Sequence, residues 1–257
     1  AGAPDVVARP GVLEQAVMMS GFPFGPFSIR ETPILDVGVA GWDSALAGDP
    51  WIVQKDNLFY MFYYGYDGVA HATSGAATST DLVNWTKYVG NPVVSNGAGG
   101  AFDSAHAGKP SVVKVGSTYH MYYEGDNGAA RAIGHATSAD LLTWSKDVGA
   151  MLTYGLEGNG DTTTSLMTPS VFERNGTVYM FYAGQAPGPD FRWQIYFATS
   201  TNGTTWTKVG RAFAISPAGW DLGANFCGGI VRSGSYYIMS YNASSTLPTG
   251  ALHEGTP

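Results

Sequence analysis

Residues 48–54 read G-D-P-W-I-V-Q, residues 58–68 read L-F-Y-M-F-Y-Y-G-Y-D-G, and residues 77–87 read A-T-S-T-D-L-V-N-W-T-K. The three phrases return in the same order. Residues 108–114 are G-K-P-S-V-V-K, residues 119–128 are Y-H-M-Y-Y-E-G-D-N-G, and residues 136–146 are A-T-S-A-D-L-L-T-W-S-K. A third copy begins M-T-P-S-V-F-E at Met167, continues V-Y-M-F-Y-A-G-Q and ends A-T-S-T-N-G-T-T-W-T-K. A fourth starts C-G-G-I-V-R at Cys227 and reaches Y-Y-I-M-S-Y-N. The tryptophans Trp85, Trp144 and Trp206 mark a period of about 60 residues.

Each copy holds four strand-like runs. The first is short and apolar, as at 51–54, 111–114 and 170–173, and is bounded by turn residues. A turn follows at 55–57, 115–117 and 174–176. The second run is aromatic, the third ends in Ala-Thr-Ser, and the fourth starts at the marker tryptophan. No segment carries a helical period. Four antiparallel strands per repeat at this spacing predict an all-β chain folded as the blades of a β-propeller. The repeats run head to tail without a linker, so one domain is expected, with units near 32–90, 91–148, 149–209 and an incomplete 210–257. Residues 1–31 do not match the unit and are expected to be an N-terminal closing segment, with Phe27 to Arg30 resembling the tail of a preceding unit. A five-bladed ring would need roughly 60 to 80 further residues at this period. The expectation is therefore five blades, about four of them in this chain, with a second polypeptide or a lost segment completing the ring; a ring of only four blades is the alternative.

Composition narrows the partners. The 257 residues carry a formal net charge of −7, with Lys and Arg scattered, so no basic stripe exists for a nucleic-acid backbone. No apolar run approaches the roughly 20 residues of a membrane helix. Cys227 is the single cysteine and can form no intrachain disulfide. No leader is visible, and Ala1 is compatible with a removed one. The sequons at Asn84, Asn175, Asn202 and Asn242 read as turn composition. No His/Cys cluster has metal-ligand spacing, and no cofactor is expected. A structural calcium held by Asp and backbone oxygens would leave no signature in the sequence.

Strand order selects the face that carries chemistry. If the first strand starts at the top of a central funnel, the second ends there, and the connections 90–108, 149–168 and 210–228 lie on top. Long loops on one face of a rigid scaffold are where sites are built. Asp43, Asp103, Asp161 and Asp221 recur in every unit, which reads as loop capping. Asp49 and Glu124 break the repeat. The places matching Asp49 hold Lys109, Thr168 and Gly228, and those matching Glu124 hold Tyr64 and Ala183. Asp126 and Glu157 are further top-face carboxylates. Asp81, Asp140 and Asn202 lie on the opposite face and read as side chains that clasp their own turns. Trp42, Trp51, Trp193 and Trp220 are expected at the top as flat platforms, with loop packing as the alternative. His106, Lys109 and Arg192 are expected to bind there. His71, His120 and His135 read as framework.

Gly48-Asp49-Pro50, the Y-M-F-Y-Y-G type second strands and the A-T-S-x-D-x-x-x-W ends resemble the five-bladed β-propeller glycosidases of families 43, 62, 32, 68, 117 and 130, over residues 32–242. The resemblance implies a polysaccharide- or oligosaccharide-cleaving enzyme, with Asp49 at the place of the family 43 general base. That family's second carboxylate is replaced by Lys109. The region of its general acid holds Met167 and Thr168, so the acid is sought among Glu124, Asp103, Asp161 and Glu157. Glycoside hydrolysis needs two carboxylates about the bond, one of them with a raised pKa. The resemblance also implies export, to the periplasm or the exterior, and a furanoside polymer as substrate.

Three alternatives stand beside it. A phosphorylase of the family 130 kind needs one carboxylate and a cationic pocket, for which Lys109, Arg131, Arg192 and His106 are available. A sialidase is suggested by the box-like S-T-D-L-V-N-W, but blade count and arginine placement disfavour it. A propeller that binds carbohydrate without cleaving it would need no catalytic pair.

Overall fold

A computed structural model describes residues 32–69, 71–155, 165–185, 192–212, 223–233 and 236–244, and every regular element among them is a strand. They belong, from Ile34 onward, to one compact unit. The first repeat is the antiparallel meander β1 (Leu46–Lys55), β2 (Leu58–Tyr66), β3 (Ala72–Ser79) and β4 (Thr86–Lys87). The second is β5 (His106–Val115), β6 (Thr118–Asp126), β7 (Arg131–Ser138) and β8 (Ser145–Lys146). The third is β9 (Leu166–Arg174), β10 (Thr177–Gln185), β11 (Trp193–Ser200) and β12 (Thr207–Arg211). A final hairpin pairs β13 (Ala224–Ser233) with β14 (Tyr236–Ser244). The expected N-terminal closing segment, including Phe27 to Arg30, lies outside the described residues.

Two-residue turns close the first hairpins. Asp56 (φ 55°), Gly116 (φ 60°) and the pair Asn175 (φ 53°) and Gly176 (φ 80°) supply the left-handed backbone that tight hairpins require. The repeats are stitched by single parallel pairs at equivalent places: Ala72 with His106, Arg131 with Ser165, and Trp193 with Ala224. The strands therefore fall into two sheets of eight and six strands, and neither closes on itself.

The first strand of each repeat is longer than its apolar run predicts. β1, β5, β9 and β13 continue through Gly-Asp-Pro, Gly-Lys-Pro, Met-Thr-Pro and Cys-Gly-Gly by way of a register shift in each pairing. A proline cannot donate to a ladder, and a bulge removes the need for it to do so. The residue before each proline takes a left-handed backbone: Asp49 at φ 48°, Lys109 at 51° and Thr168 at 50°.

The core lies in the seams between repeats. Alternate residues of each second strand point to opposite neighbours, as the twofold period of a strand demands. Tyr119, Met121 and Tyr123 of β6 join Tyr60 and Phe62 of β2 in the first cluster. Tyr122, between them, joins Val178, Met180 and Tyr182 of β10 in the second. A smaller third cluster holds Met167, Ala183, Trp193 and Ala224.

Candidate functional site

The four bulged strands converge on one cavity of about 180 Å³. Asp49, Pro50 and Trp51 come from β1, Lys109 and Pro110 from β5, Thr168 and Pro169 from β9, and Cys227, Gly228 and Gly229 from β13. The same X-Pro place in three repeats thus supplies Asp49, Lys109 and Thr168 to a shared pocket. Asp49 is the one carboxylate in this lining among the described residues. Asp49 is solvent-exposed in this wall, yet the protein atoms crowding its carboxyl raise its pKa; the Lys109 ammonium works against the rise and the Glu124 carboxylate adds to it.

Glu124 stands next to the cavity rather than in its wall. Its side chain is 8 % exposed. Oε2 accepts the backbone N–H of Thr168 at 3.2 Å and lies 3.5 Å from Lys109 Nζ. Oε1 lies 3.6 Å from Arg131 Nε, whose shorter partner is Asp126 Oδ2 at 2.8 Å. Tyr64 holds the matching place in the preceding repeat, where its ring lies against Gly108 so closely that a Cβ there would collide with it. Burial, with the negative charges of Glu124 and Asp49, pushes the Tyr64 phenol up to about 12. His106 is half-buried, its Nδ1 has no hydrogen-bond partner among the described residues, and burial lowers its pKa. The Thr168 hydroxyl is likewise buried without such a partner.

Several sequence-selected residues are placed elsewhere. Asp103 is a framework residue: its Oδ2 accepts from the Tyr123 hydroxyl at 2.9 Å and pairs with Lys146 Nζ at 2.9 Å, with a side chain only 2 % exposed. Asp43 repeats the arrangement with Tyr63 and Lys87. A carboxylate held by an ammonium and a phenol is a structural tie, which is why it recurs. Trp42 is not a free platform, because its ring lies on the backbone of Gly65 and Gly75 and 5.3 Å from Tyr63. Trp193 is 3 % exposed and packs with Met167, Ala183 and Phe226. Trp51 reaches the cavity, yet its indole N–H is spent on the carbonyl of Val112 at 2.8 Å and its ring packs into two core clusters. Arg192 is half-buried just before β11 and does not appear in the described lining. Asp161, Glu157 and Trp220 lie outside the described residues.

The structure brings together Asp49, Lys109 and, one layer back, Glu124, Asp126, Arg131, Tyr64 and His106. Thr168 and Cys227 were not singled out as site residues by sequence reasoning. The available signal was their repeat position beside Asp49 and Lys109. Among the described residues no three His, Cys, Asp or Glu side chains are gathered as a metal ion would require.

No family model matches the chain. Two uncharacterized proteins from the CDC 1551 and H37Rv strains of Mycobacterium tuberculosis are each 25% identical over 214 residues, covering 75% of this chain and 66% of theirs. The chain thus spans just under two thirds of the length of these curated relatives. Among solved structures, a glycosyl hydrolase from Bacteroides ovatus aligns at 21% identity and TM-score 0.59, covering 79% of this chain and 61% of that one. A β-1,2-mannobiose phosphorylase from Listeria innocua, seen with β-1,2-mannobiose, aligns at 12% identity and TM-score 0.61, covering 77% and 68%. Fructan 1-exohydrolase IIa from Cichorium intybus aligns at 19% identity and TM-score 0.53, covering 70% and 34%. Similarities of this size establish the fold: an all-β, propeller-like architecture shared with carbohydrate-cleaving enzymes.

Proposed function

We propose that this protein cleaves glycosidic bonds, as a glycoside hydrolase, with Asp49 delivering the proton to the leaving oxygen. The observation that carries the reading is the place of Asp49. It lines the cavity at the meeting point of four strands, where the surrounding protein raises its affinity for a proton. A carboxyl crowded by protein atoms holds its proton to higher pH than one surrounded by water, which suits an acid better than the base role implied by the family 43 resemblance. Hydrolysis asks a second carboxylate to activate water or attack the sugar. Both oxygens of Glu124 are engaged by Thr168, Lys109 and Arg131, so this reading takes the second carboxylate to be Asp161, a candidate from sequence. The same reading takes the repeats as part of a five-bladed ring, and the protein as exported.

Phosphorolysis is a second reading, favoured by one observation: a single carboxylate and a single ammonium, Asp49 and Lys109, share the described cavity wall. Inorganic phosphate as the attacking group would make a second carboxylate unnecessary.

One experiment addresses both. The protein is incubated with neutral oligosaccharides, with and without inorganic phosphate, beside its Asp49→Asn variant. Phosphate-independent release of reducing sugar supports the hydrolase; formation of sugar phosphate supports phosphorolysis. In either case Asp49→Asn is expected to lower kcat by about 10²–10⁴-fold with sugar binding retained by calorimetry. Binding without turnover by the parent protein would instead identify a carbohydrate-binding module.

A further inference from the structure

The pocket contains an unusual juxtaposition. Asp49, Lys109 and Thr168 each occupy a left-handed backbone immediately before a proline. That conformation is costly for residues with side chains, about 1–3 kcal/mol each, and persists only where neighbours over-determine it. At the seam between the second and third repeats, the neighbour is Glu124. One of its oxygens meets both the Thr168 N–H of β9 and the Lys109 ammonium of β5, and the other faces Arg131 of β7. Both oxygens are therefore engaged by donors, and neither residue nor atom of Glu124 enters the cavity wall.

We infer that Glu124 is a positioning residue of this pocket, holding the Lys109 ammonium and the Thr168 bulge in fixed places beside Asp49. The inference rests on the reading of Asp49 as the pocket's acid, and assigns Glu124 a role other than reacting carboxylate. Its consequence is electrostatic. Lys109 favours the ionised form of Asp49, and Glu124 both opposes that directly and keeps the ammonium engaged. The other charged groups around this site are Asp126 on β6 and Arg131 on β7, which pair with each other. Tyr64 on β2, His106 on β5 and Cys227 on β13 are neutral at pH 7, since burial raises the phenol and thiol and lowers the imidazole. Thr168 on β9 adds no charge.

The test follows the Asp49 carboxyl itself, by ¹³C NMR titration of the full chain, so that its outcome does not depend on finding a substrate. Glu124→Gln keeps an acceptor for Thr168 N–H and removes the charge. It is expected to shift the Asp49 titration down by about one pH unit, while Lys109→Met shifts it up by a similar amount. An unchanged Asp49 titration in folded Glu124→Gln overturns the inference. So does a titration that moves as expected in Lys109→Met but not in a Glu124→Asp variant, where the shortened side chain should release the ammonium. Once a substrate is known, a positioning role predicts a partial loss of turnover in Glu124→Gln with a shifted pH profile. A loss as complete as that of Asp49→Asn, with the profile unmoved, would make Glu124 a reacting group and refute the assignment. Failure of the functional reading shows differently, as absence of turnover with the NMR shifts intact.

Discussion

Asp140 shows how a single side chain can hold a turn. Its Oδ1 accepts the N–H groups of Leu142 at 2.8 Å and Thr143 at 2.7 Å, while the Ser138 hydroxyl accepts from Asp140 and Leu141 and donates to the carboxylate. Leu141 is thereby held at φ 75°. Asp81 and Asn202 repeat the device, and the third repeat relieves the strain by placing Gly203 where the others have leucine. The backbone hydrogen bonds lower the pKa of Asp140 to about 2. Its stabilisation is therefore complete above the unfolded value near 4 and is lost as pH falls toward 2. Asp140→Ala is expected to cost on the order of 1 kcal/mol at neutral pH, discounted for exposure, and clearly less near pH 2; chemical denaturation at the two pH values checks this. The turn role of this aspartate was legible in sequence because it recurs with its serine and tryptophan. The roles of Asp49 and Glu124 were half legible: both depart from the repeat, but only the seam reveals that one reaches the cavity and the other ties its wall.

At the scale of the element, the second strands of the first three repeats, β2, β6 and β10, are mostly buried. Met121 is fully buried in the seam between the first two repeats, whereas Ile52 on β1 is 46% exposed. Met121→Ala is expected to destabilise the protein by about 2–5 kcal/mol, and Ile52→Ala to stay within about 0.5 kcal/mol, as read from denaturant midpoints. The aromatic runs identified these strands, yet they did not say which aromatic rings would be free. Trp42 and Trp193 were expected as platforms because they flank the top-face loops. The structure lays Trp42 over Gly65 and Gly75 and buries Trp193 beside Phe226. The two glycines were visible in the sequence; that they exist to admit an indole from a preceding loop is a tertiary fact. The bulges are similar. Proline after Gly-X looked like the start of a strand, and it is the middle of one, because the register shift carries the ladder past it.

Across the whole molecule, the seams decide stability, and one of them is ionisable. In the seam between the second and third repeats, His120 Nδ1 lies 2.9 Å from His135 Nε2, and His135 Nδ1 lies 2.8 Å from Asp147 Oδ2. Nearby, the Tyr122 hydroxyl donates across the seam to the Gly203 carbonyl at 2.6 Å, the carbonyl matching those that take the indole N–H of Trp85 and Trp144 in the other repeats. Burial first, and then the positive charge of His135 when present, lower the pKa of His120 to about 4. A base whose folded pKa is depressed binds its proton first in the unfolded chain, so stability falls as pH drops from about 6.5 to about 4 and this contribution levels off below. The neighbouring repeats hold Tyr60 and Tyr179 at this place. His120→Tyr is expected to flatten the dependence of Tm on pH across that window, whatever it does to the Tm at neutral pH; a slope identical to the parent's would exclude His120 as the titrating group.

The amino-acid sequence by itself determined the repeat, the four strands within it, the turns that join them and the aspartates that cap them. These depend on neighbours close along the chain: a period of two, a left-handed turn residue, a side chain reaching its own backbone. Only the tertiary structure decided which of the departures from the repeat meet. Asp49, Lys109, Glu124 and Thr168 are separated by 60, 15 and 44 residues in turn, and they become one site because four bulged strands converge on a common cavity with Glu124 tying its wall. Local sequence carries no record of that distance.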